Sequence, residues 1–519
     1  MSSSQNKKRF INFHPYLFSL FSVLSLYTYN KDLLSPAHAF WPTILVLSFT
    51  TAVYLFIRHF IQNPEKAALL SSILLFTFFS FGHCIKLPFL SFLPMFDGNL
   101  NYSIGLIIWL LFILICTISI TKSRKNFWRI SSYLNTVSLI LVVISTANII
   151  FYEIRSKDIS ELITKTNSSI VASPEETYPD IYYIVLDGFA RQDVLKEIYN
   201  VDNSSFISSL EDLDFFVASQ STANYPQTYL SISSALNLQY LDDIALTMGK
   251  ESTDRGPLQK ILNDNQVYET LKKNGYSFVS FPYTWTGTAN NQHTDIFMQN
   301  QIGFGEFGDL LLDLTPVSIL LQKNLQSDQH RNKILHVFEK MGEVAKIKKP
   351  TFTYTHILAP HPPFVFLSDG SPTKIGGRMY GNDGSHYFEL HPDKEEYRNL
   401  YAEQTSFIAQ KTLKMVEEIL TNSAEKPIII LQSDHGPGSM LEWEDEKTTN
   451  MKERFSILNA YYFPDTEKTS LYETITPVNS FRVIFNNIFD ANFELLPDKN
   501  YFARWSTPYH HIDVTERVQ

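Results

Sequence analysis

The sequence predicts an N-terminal domain of five transmembrane helices followed by an α/β domain with a mostly parallel central sheet. Five apolar stretches of about 20 residues, each long enough to cross a bilayer, occupy the first 152 positions. After residue 180, short β-branched and aromatic runs alternate with amphipathic segments, which is typical of strand–helix–strand units. The charge divides at the same place, because residues 1–152 carry a net charge of +8 and the remainder carries −18.

The five predicted spans run roughly over 10–30, 40–57, 67–85, 101–121 and 130–152. Their flanking segments place nine basic residues on one side and two on the other, and the basic side is expected to face the cytoplasm. The N-terminus is then cytoplasmic, and five crossings put everything after residue 152 outside the cytoplasm. The nine are Lys7, Lys8, Arg9, Arg58, Lys66, Lys122, Arg124, Lys125 and Arg129, and the two are Lys31 and Lys86.

Composition excludes several classes of protein. An overall charge of −10 disfavours nucleic acid as a partner, because phosphate backbones require a surplus of basic residues. A content of 44% hydrophobic and 14% aromatic residues excludes intrinsic disorder. Both cysteines, Cys84 and Cys116, lie in apolar stretches, so the C-terminal domain has neither a disulfide framework nor a cysteine-based zinc site. The sequence does not reveal the oligomeric state.

A polar juxtamembrane linker is predicted over 153–179, and the extracytoplasmic α/β domain over 180–519. Strands are predicted at 180–186, 276–281, 351–357 and 427–432, with a long amphipathic helix over 394–421. In parallel sheets of this kind, ligands bind beyond the carboxyl ends of the strands. The polar clusters of this sequence fall at those ends.

Two acidic clusters directly follow predicted strands. Asp187 comes after the first strand, where a carboxylate suits either a metal ligand or a helix N-cap. Asp434 and His435 follow the strand 427–432 and precede a glycine, which suits a site of oxygen and imidazole ligands. The alternative for this second pair is a turn with a surface histidine.

A hydroxyl-rich stretch, 219–237, leads into a helix predicted to begin near Thr228. A hydroxyl at a helix N-terminus faces free N–H groups and suits a phosphate-bearing site, although it needs a base or a metal to become a nucleophile. A purely structural N-cap role for Thr228 is the alternative, and Thr222 is a competing nucleophile. Farther along, His356 ends a strand and His361 lies in a proline-stiffened loop, where it could bind a phosphate oxygen or protonate a leaving group.

These motifs, VLDG, a threonine at a helix start, HxxxxHPPF and SDHG, occur in an order that resembles the sulfatase-like branch of the alkaline phosphatase superfamily. The resemblance is to its membrane-anchored members, lipoteichoic acid synthase and the lipid A phosphoethanolamine transferases, which also place five helices before an extracytoplasmic catalytic domain. It implies a metal site of Asp187, Thr228, Asp434 and His435. It further implies that Thr228 takes the phospho group and that His361 and His356 bind substrate.

The sequence departs from that family in three ways. The C-terminal domain has no cysteine, and no serine in it begins the C/S-x-P-x-R pattern needed for formylglycine, so ordinary sulfate-ester hydrolysis is not expected. Gly188 replaces the second aspartate of the sulfatase calcium site. No histidine follows SDHG at the distance found in the phosphoethanolamine transferases, and Lys447, His510 and His511 are the substitutes that the sequence offers.

The expected activity is movement of a phospho-headgroup, of phosphoglycerol or phosphoethanolamine type, from a membrane lipid through a phospho-threonine intermediate. One divalent ion, Zn²⁺ or Mn²⁺, is the expected cofactor, and a cell-envelope glycan or lipid, or water, is the expected acceptor. The alternatives are a catalytically silent lipid sensor or scaffold with the same fold, and a phosphodiesterase or sulfuric ester hydrolase that uses water. Arg191, Arg378 and Arg454 are candidates for a positive pocket, and the glycine-rich segment 367–386 for a lid or acceptor groove.

Overall fold

The computed structural model describes residues 12–31, 36–85, 98–163, 178–281, 293–298, 305–320, 323–373, 382–389, 391–464 and 470–518. Two compact units are present, a helical unit of residues 1–155 and 302–322 and an α/β unit of residues 156–301 and 323–519. Some features singled out in the sequence lie outside the described residues. These are Lys7, Lys8, Arg9, Lys86, Arg378, linker residues 164–177 and residues 374–381 of the glycine-rich segment.

The helical unit begins with five helices, α1 (His14–Tyr29), α2 (Ala37–Phe60), α3 (Pro64–Ile85), α4 (Gly98–Lys122) and α5 (Trp128–Ile163). Within the described residues, four helical stretches are long and apolar enough to cross a membrane: Ala37–Phe60, Pro64–Cys84, Ile104–Lys122 and Trp128–Ile154. The prediction of five spans is therefore not confirmed, because α1 has only 16 residues. Helix α5 continues into the predicted linker as far as Ile163.

The remaining elements follow in sequence order. They are β1 (Ile181–Leu186), α6 (Gln192–Tyr199), α7 (Ser204–Asp212), β2 (Phe216–Val217), α8 (Thr228–Asn237), α9 (Asp242–Met248), α10 (Gly256–Asn263), α11 (Gln266–Lys273), β3 (Ser277–Ser280), β4 (Ile296–Phe297), α12 (Gly305–Asp313), α13 (Val317–Leu320), α14 (Lys323–Val344), β5 (Thr351–Ile357), α15 (Ser385–Phe388), α16 (Lys394–Asn422), β6 (Ile428–Gln432), α17 (Met451–Phe455), β7 (Asn459–Tyr462), α18 (Pro477–Phe489), β8 (Tyr501–Phe502), β9 (Ile512–Asp513) and α19 (Thr515–Val518).

The central sheet has seven strands in the order β2-β7-β6-β1-β5-β3-β4. Five adjacent strands are mutually parallel, namely β6, β1, β5, β3 and β4. Strand β7 pairs antiparallel with β6, and β2 pairs antiparallel with β7. The predicted α/β domain with a mostly parallel sheet is thus confirmed. Strands β1, β5 and β6 are buried along their whole length, as expected of central strands covered on both faces.

Both faces of the sheet are covered by helices. Tyr182 and Ile184 of β1 belong to one core cluster together with buried residues of α6, α14 and α16. Tyr183 points to the opposite face, where its ring centroid lies 5.2 Å from that of Phe481 in α18. This arrangement follows from the alternation of side chains along a strand, because each face of β1 carries its own apolar residues.

Residues 302–322, between β4 and α14, belong to the helical unit and not to the α/β unit. The backbone N–H of Gly82 donates to the Leu314 carbonyl at 2.9 Å, and a Cβ at Gly82 would lie 2.5 Å from the Asp313 carbonyl oxygen. Only glycine allows this close approach. Phe307 and Leu311 of α12 are buried in one cluster with Val23, Tyr27, Val46, Leu75 and Phe79.

Candidate active site

Three neighbouring strands deliver polar side chains to one edge of the sheet. Strand β1 lies between β5 and β6, and Val185 is opposite both His356 and Gln432. Asp187 and Asp434 come just after the ends of β1 and β6, and His356 is the penultimate residue of β5. His356 Nε2 lies 3.1 Å from Asp187 Oδ2 and 4.0 Å from Asp434 Oδ2, and all three side chains are buried.

His435 completes the cluster from the residue after Asp434. Its Nε2 lies 3.5 Å from Asp187 Oδ1 and 3.4 Å from Asp434 Oδ2. Its Nδ1 is 3.0 Å from the carbonyl oxygen of Gly436, which can only accept a hydrogen bond. The proton of the neutral ring therefore sits on Nδ1, and Nε2 presents its lone pair to the cluster.

Thr228 brings a hydroxyl to the same nitrogen. Its Oγ1 lies 3.2 Å from His435 Nε2, and Thr228 is the first residue of α8. Gln227 occupies the N-cap position, so Thr228 is not the cap of this helix. The unsatisfied N–H groups and the positive end of the helix dipole lie in the first turn, where they favour a negatively charged group beside Thr228.

The residues present fit a divalent cation. Asp187 Oδ1 and Asp434 Oδ2 are buried without a hydrogen-bond partner among the described residues. Buried carboxylate oxygens are costly unless they are paired or bound to a metal. Two overlapping groups, Asp187 with His361 and His435 and Asp187 with His356 and Asp434, each have ligand atoms within 4.8 Å of one another. Oxygen and imidazole donors without sulfur suit a Zn²⁺- or Mn²⁺-type ion.

The charges of the cluster are interdependent. Burial by itself would raise the pKa of Asp187, but the charges of His361, His356 and His435 hold that pKa below its usual range. Burial opposes protonation of His356, yet its contact with the Asp187 carboxylate raises the pKa of that imidazole. Burial, followed by the charge of Arg454, lowers the pKa of His435 and favours the neutral, ligand-ready ring.

The loop of His361 is held against the turn after β1. The His361 N–H donates to the Asp187 carbonyl at 2.9 Å, and Gln404 of α16 donates to the carbonyls of Pro360 and His361. Gly188 has φ 73°, and a Cβ there would lie 3.4 Å from His361 Cβ. Gly188 thus permits the turn on which His361 rests.

Arg454 ties the segments around the cluster together. It is 1% exposed, and its guanidinium donates to the Pro226 carbonyl at 2.9 and 2.7 Å and to the Gly436 carbonyl at 2.8 Å. It also pairs with Asp383 Oδ2 at 2.6 Å. Burial would raise the pKa of Asp383, but Arg454 and then His361 hold it below its usual range. The two loops that carry Thr228 and His435 are therefore joined by one side chain.

A cavity of about 70 Å³ opens at this cluster. Four of the predicted site residues and the pocket candidate Arg454 line it, and so do side chains that the sequence did not single out. The lining comprises Asp187, Gln227, Thr228, Tyr229, Leu358, His361, Asn382, Asp383, His386, His435, Trp443, Arg454 and Trp505.

The structure gathers all the predicted site residues, Asp187, Thr228, His356, His361, Asp434 and His435, at the strand ends. His356 contacts the two carboxylates and is not among the residues that line the cavity. This position suits a metal ligand or a group that orients Asp187, and the substrate-binding role implied by the resemblance stays a prediction.

Other candidates lie elsewhere. Thr222 Oγ1 accepts a hydrogen bond from Asn500, Arg191 pairs with Asp193, and Lys447 is exposed on a loop. His511 packs against Tyr225 and Tyr501, and neither it nor His510 lines the cavity. Thr228 is accordingly the threonine that reaches the cluster.

Sequence reasoning missed Asp383, Gln227 and Trp505. Asp383 falls in the glycine-rich segment that was predicted only as a lid or groove, and nothing in its spacing pairs it with Arg454. Gln227 and Trp505 come together because 223–228 runs beside 500–505, as the hydrogen bonds from Tyr501 N to Asn224 and from Gln227 to Ala503 show. Such pairing of irregular segments leaves no periodic signal in a sequence.

A family model for sulfatases matches residues 179–517, which is well over half of the protein. The chain belongs to the sulfatase family. It is an enzyme of that family, with helices of membrane-spanning length before its catalytic domain, and the resemblance to the alkaline phosphatase superfamily is confirmed. A search among curated proteins by sequence found no match.

Solved structures of similar fold include the following three bacterial proteins. The periplasmic domain of EptC from Escherichia coli in complex with Zn is 11% identical, with a TM-score of 0.44, covering 67% of this protein and 96% of that one. The integral membrane lipooligosaccharide phosphoethanolamine transferase A from Neisseria meningitidis is 9% identical, with a TM-score of 0.41 and coverages of 93% and 96%. A sulfatase from glycosaminoglycan metabolism in Bacteroides thetaiotaomicron is 13% identical, with a TM-score of 0.37 and coverages of 63% and 80%.

Proposed function

We propose that this sulfatase-family protein is a membrane-bound phosphotransferase that takes a phospho-headgroup, of phosphoglycerol or phosphoethanolamine type, from a lipid onto Thr228. The observation that carries the proposal is the 3.2 Å approach of Thr228 Oγ1 to His435 Nε2, beside two buried carboxylate oxygens that have no hydrogen-bond partner in the described part of the chain. The domain contains no cysteine and no serine in a formylglycine pattern, so a threonine alkoxide is the nucleophile that fits this site.

Asp187, Asp434, His435 and Thr228 would hold one divalent ion, with His356 against both carboxylates. When bound, the ion would lower the proton affinity of the Thr228 hydroxyl and offset the negative charge that develops on phosphate oxygens. The remaining groups are already positioned by the protein. Arg454 holds the two loops together, and Gln404 holds the loop of His361.

In the first half-reaction, Thr228 Oγ1 loses its proton to solvent and bonds to phosphorus as the bond from phosphorus to the lipid oxygen breaks. His361, which lines the cavity, donates a proton to the departing lipid oxygen. In the second half, an acceptor hydroxyl or water bonds to phosphorus and passes its proton to His361. The bond to Thr228 breaks, and the threonine oxygen regains a proton from solvent.

The lipid donor follows from where the site is held. Apolar helices of spanning length precede the catalytic domain, and the charge bias predicts five crossings with a cytoplasmic N-terminus in the inner membrane. A catalytic domain tethered outside the bilayer meets lipid headgroups at high local concentration. A cell-envelope glycan or lipid is the acceptor that lies within the same reach.

The test is mass spectrometry of the purified full-length protein after incubation with mixed phospholipids and Zn²⁺ or Mn²⁺. A mass increment on the peptide containing Thr228 is expected, and its value identifies the headgroup. Thr228→Ala should abolish the increment. Thr222→Ala is the matched control and should keep it, because the Thr222 hydroxyl is engaged by Asn500.

Three other results would contradict the proposal. Absence of both bound metal and increment, with biological activity retained by Thr228→Ala, would indicate the silent lipid sensor. If the phospho group is lost from Thr228 by hydrolysis at the same rate with and without an added glycan or lipid acceptor, the protein is a phosphodiesterase. Release of sulfate from a sulfate ester would indicate a sulfuric ester hydrolase.

A further inference from the structure

A tryptophan stands at the mouth of the cavity with part of its ring in solvent. Trp505 lines the same cavity as Thr228 and is 39% exposed. Its backbone N–H donates to the Trp443 carbonyl at 3.3 Å, and Arg255 donates to its carbonyl oxygen. The position of this ring is therefore set before any ligand binds.

Two further rings support Trp505. Trp443 lies 5.2 Å and His386 lies 5.6 Å from it between centroids, and both line the cavity. Trp443 is buried, and its indole N–H donates to the Asp383 carbonyl at 2.8 Å. Trp505 is thus the exposed member of a rigid group of rings, which is the arrangement that lets an aromatic surface bind a ligand without an ordering cost.

A polar group deep in the cavity lies next to the nucleophile. Gln227 is 2% exposed, and its Nε2 donates at 3.0 Å to the carbonyls of Ala503 and Arg504, the two residues before Trp505. Its Oε1 is buried and has no hydrogen-bond partner among the described residues. Gln227 lines the cavity, and an unpaired buried amide oxygen is unfavourable, so a hydroxyl donated by a ligand would satisfy it.

We propose that Trp505 and Gln227 form the acceptor subsite and that the acceptor is a neutral saccharide. This inference rests on the transferase activity proposed above. The C–H face of a sugar ring would lie on Trp505, and a ring hydroxyl would donate to Gln227 Oε1 next to Thr228. Another hydroxyl of the same saccharide bonds to phosphorus as the bond to Thr228 Oγ1 breaks, and its proton goes to His361.

The charges around the ring favour a neutral ligand over an ammonium group. The guanidinium of Arg255 lies 4.5 Å from the centroid of Trp505, so one face of this ring already carries a cation. Arg454 occupies the same kind of position on Trp443 at 5.0 Å. A second cation on either ring would be repelled by the first, whereas a sugar face carries no net charge.

The test is saturation-transfer NMR with the full-length protein in a polyoxyethylene detergent, whose headgroup is not a sugar. Cellobiose is the neutral probe and choline is the cationic probe. Saturation of the protein aromatic protons should pass to the ring C–H protons of cellobiose. Trp505→Ala should weaken cellobiose binding about ten-fold, as expected for loss of one aromatic stacking contact.

Trp505→Phe should restore part of the binding, and Gln227→Ala should weaken it with Trp505 intact. The control is Phe297→Ala on β4, because Phe297 is 41% exposed and does not line the cavity. Metal content, measured on each variant, should stay at the wild-type level. The yield of phospho-Thr228 from lipid should also be unchanged in Phe297→Ala, because Phe297 lies outside the cavity lining.

Two outcomes would overturn the subsite, namely binding of choline in place of cellobiose and cellobiose binding that survives Trp505→Ala. These results differ from failure of the transferase proposal. In that case wild-type protein forms no phospho-Thr228, yet cellobiose binding still depends on Trp505.

Discussion

Asp434 and Asp187 place two buried carboxylates within reach of the same imidazoles. His435 Nε2 and His356 Nε2 lie 3.4 and 4.0 Å from Asp434 Oδ2, an oxygen without a hydrogen-bond partner among the described residues. Such a cluster gains its full stabilisation only with a cation in place, since removal of a charge partner from a buried site is strongly destabilising.

Loss of a residue that only orients a metal ligand weakens metal binding by about 10- to 100-fold. Asp434→Asn should weaken it by more than this, because Asp434 is proposed to bind the metal directly. Metal analysis of the purified protein after dialysis measures this. Without metal, the variant should unfold at the same or a higher temperature than the wild type, because one of two neighbouring negative charges is gone. Asp243→Asn, an exposed change on α9, is the control. Full metal retention by Asp434→Asn would count against the site.

Arg454→Lys should slow formation of phospho-Thr228 by about 10- to 100-fold, since small displacements of reacting groups cost this much. A lysine cannot span the Pro226 and Gly436 carbonyls and Asp383 with one planar fork. The free energy of unfolding should fall by about 2 kcal/mol. Rapid-quench mass spectrometry and thermal unfolding give the two numbers.

The matched control is Arg482→Lys, because Arg482 also donates to two backbone carbonyls, those of Leu238 and Glu494. Arg482 does not line the cavity. That variant should lose stability and keep the rate of phosphorylation. Equal slowing of both variants would make Arg454 a general stabilising residue instead of one that positions Thr228 and His435.

At the scale of elements, the turn after β6 passes unusually close to α17. A Cβ on Gly436 would lie 2.0 Å from the Glu453 carbonyl oxygen and 3.1 Å from the carbonyl carbon of Arg454. Its N–H donates to the Arg454 carbonyl at 2.7 Å. The glycine after His435 therefore allows the loop to pack on the helix that carries the arginine.

Gly436→Ala should lower the free energy of unfolding by about 3 kcal/mol, the upper end of what an added buried methyl group usually costs. Metal content should fall with it, because His435 must shift. Gly342→Ala in α14 is the comparison, since its Cβ would meet the movable side chain of Asn422 at 3.1 Å. That change should stay within about 1 kcal/mol of wild type. Equal effects would show that the close approach to Glu453 is unimportant.

The sequence predicted the elements whose signal is local. The strands that became β1, β5 and β6 are runs of β-branched and aromatic residues, and their ends carry Asp187, His356 and Asp434. The helix start at Thr228 was predicted in the same way. Gln227 and Trp505 could not be predicted, because their partners are backbone carbonyls of irregular segments far away in sequence.

Across the whole molecule, the number of membrane crossings decides where the active site faces. Helix α1 has 16 residues and a length of about 24 Å, shorter than the about 30 Å of a hydrocarbon core. If α1 does not cross, the N-terminus and the catalytic domain share one side of the membrane. The basic residues around α2 to α5 place the segment between α1 and α2 outside, whereas Lys7, Lys8 and Arg9 favour a cytoplasmic N-terminus. We therefore expect α1 to cross with its flanking residues or with local thinning of the bilayer.

Labelling of introduced cysteines in intact cells with a membrane-impermeant thiol reagent tests this orientation. After replacement of Cys84 and Cys116 by alanine, Leu246→Cys should be labelled, because Leu246 is 82% exposed in the catalytic domain. Lys125→Cys and Ser3→Cys should react only after cell lysis. Labelling of Ser3→Cys in intact cells would mean that α1 does not cross.

The return of residues 302–322 to the helical unit has a consequence for attempts to separate the two units. Excision of residues 178–519 as a secreted fragment would strip Phe307 and Leu311 of the helices that bury them. Such a fragment should self-associate through the exposed hydrophobic segment 302–322, and size-exclusion chromatography would detect this. Replacement of 302–322 by a short glycine-serine linker in the same fragment should yield a monodisperse protein. Separation of the two units therefore requires removal of both the N-terminal helices and the segment 302–322.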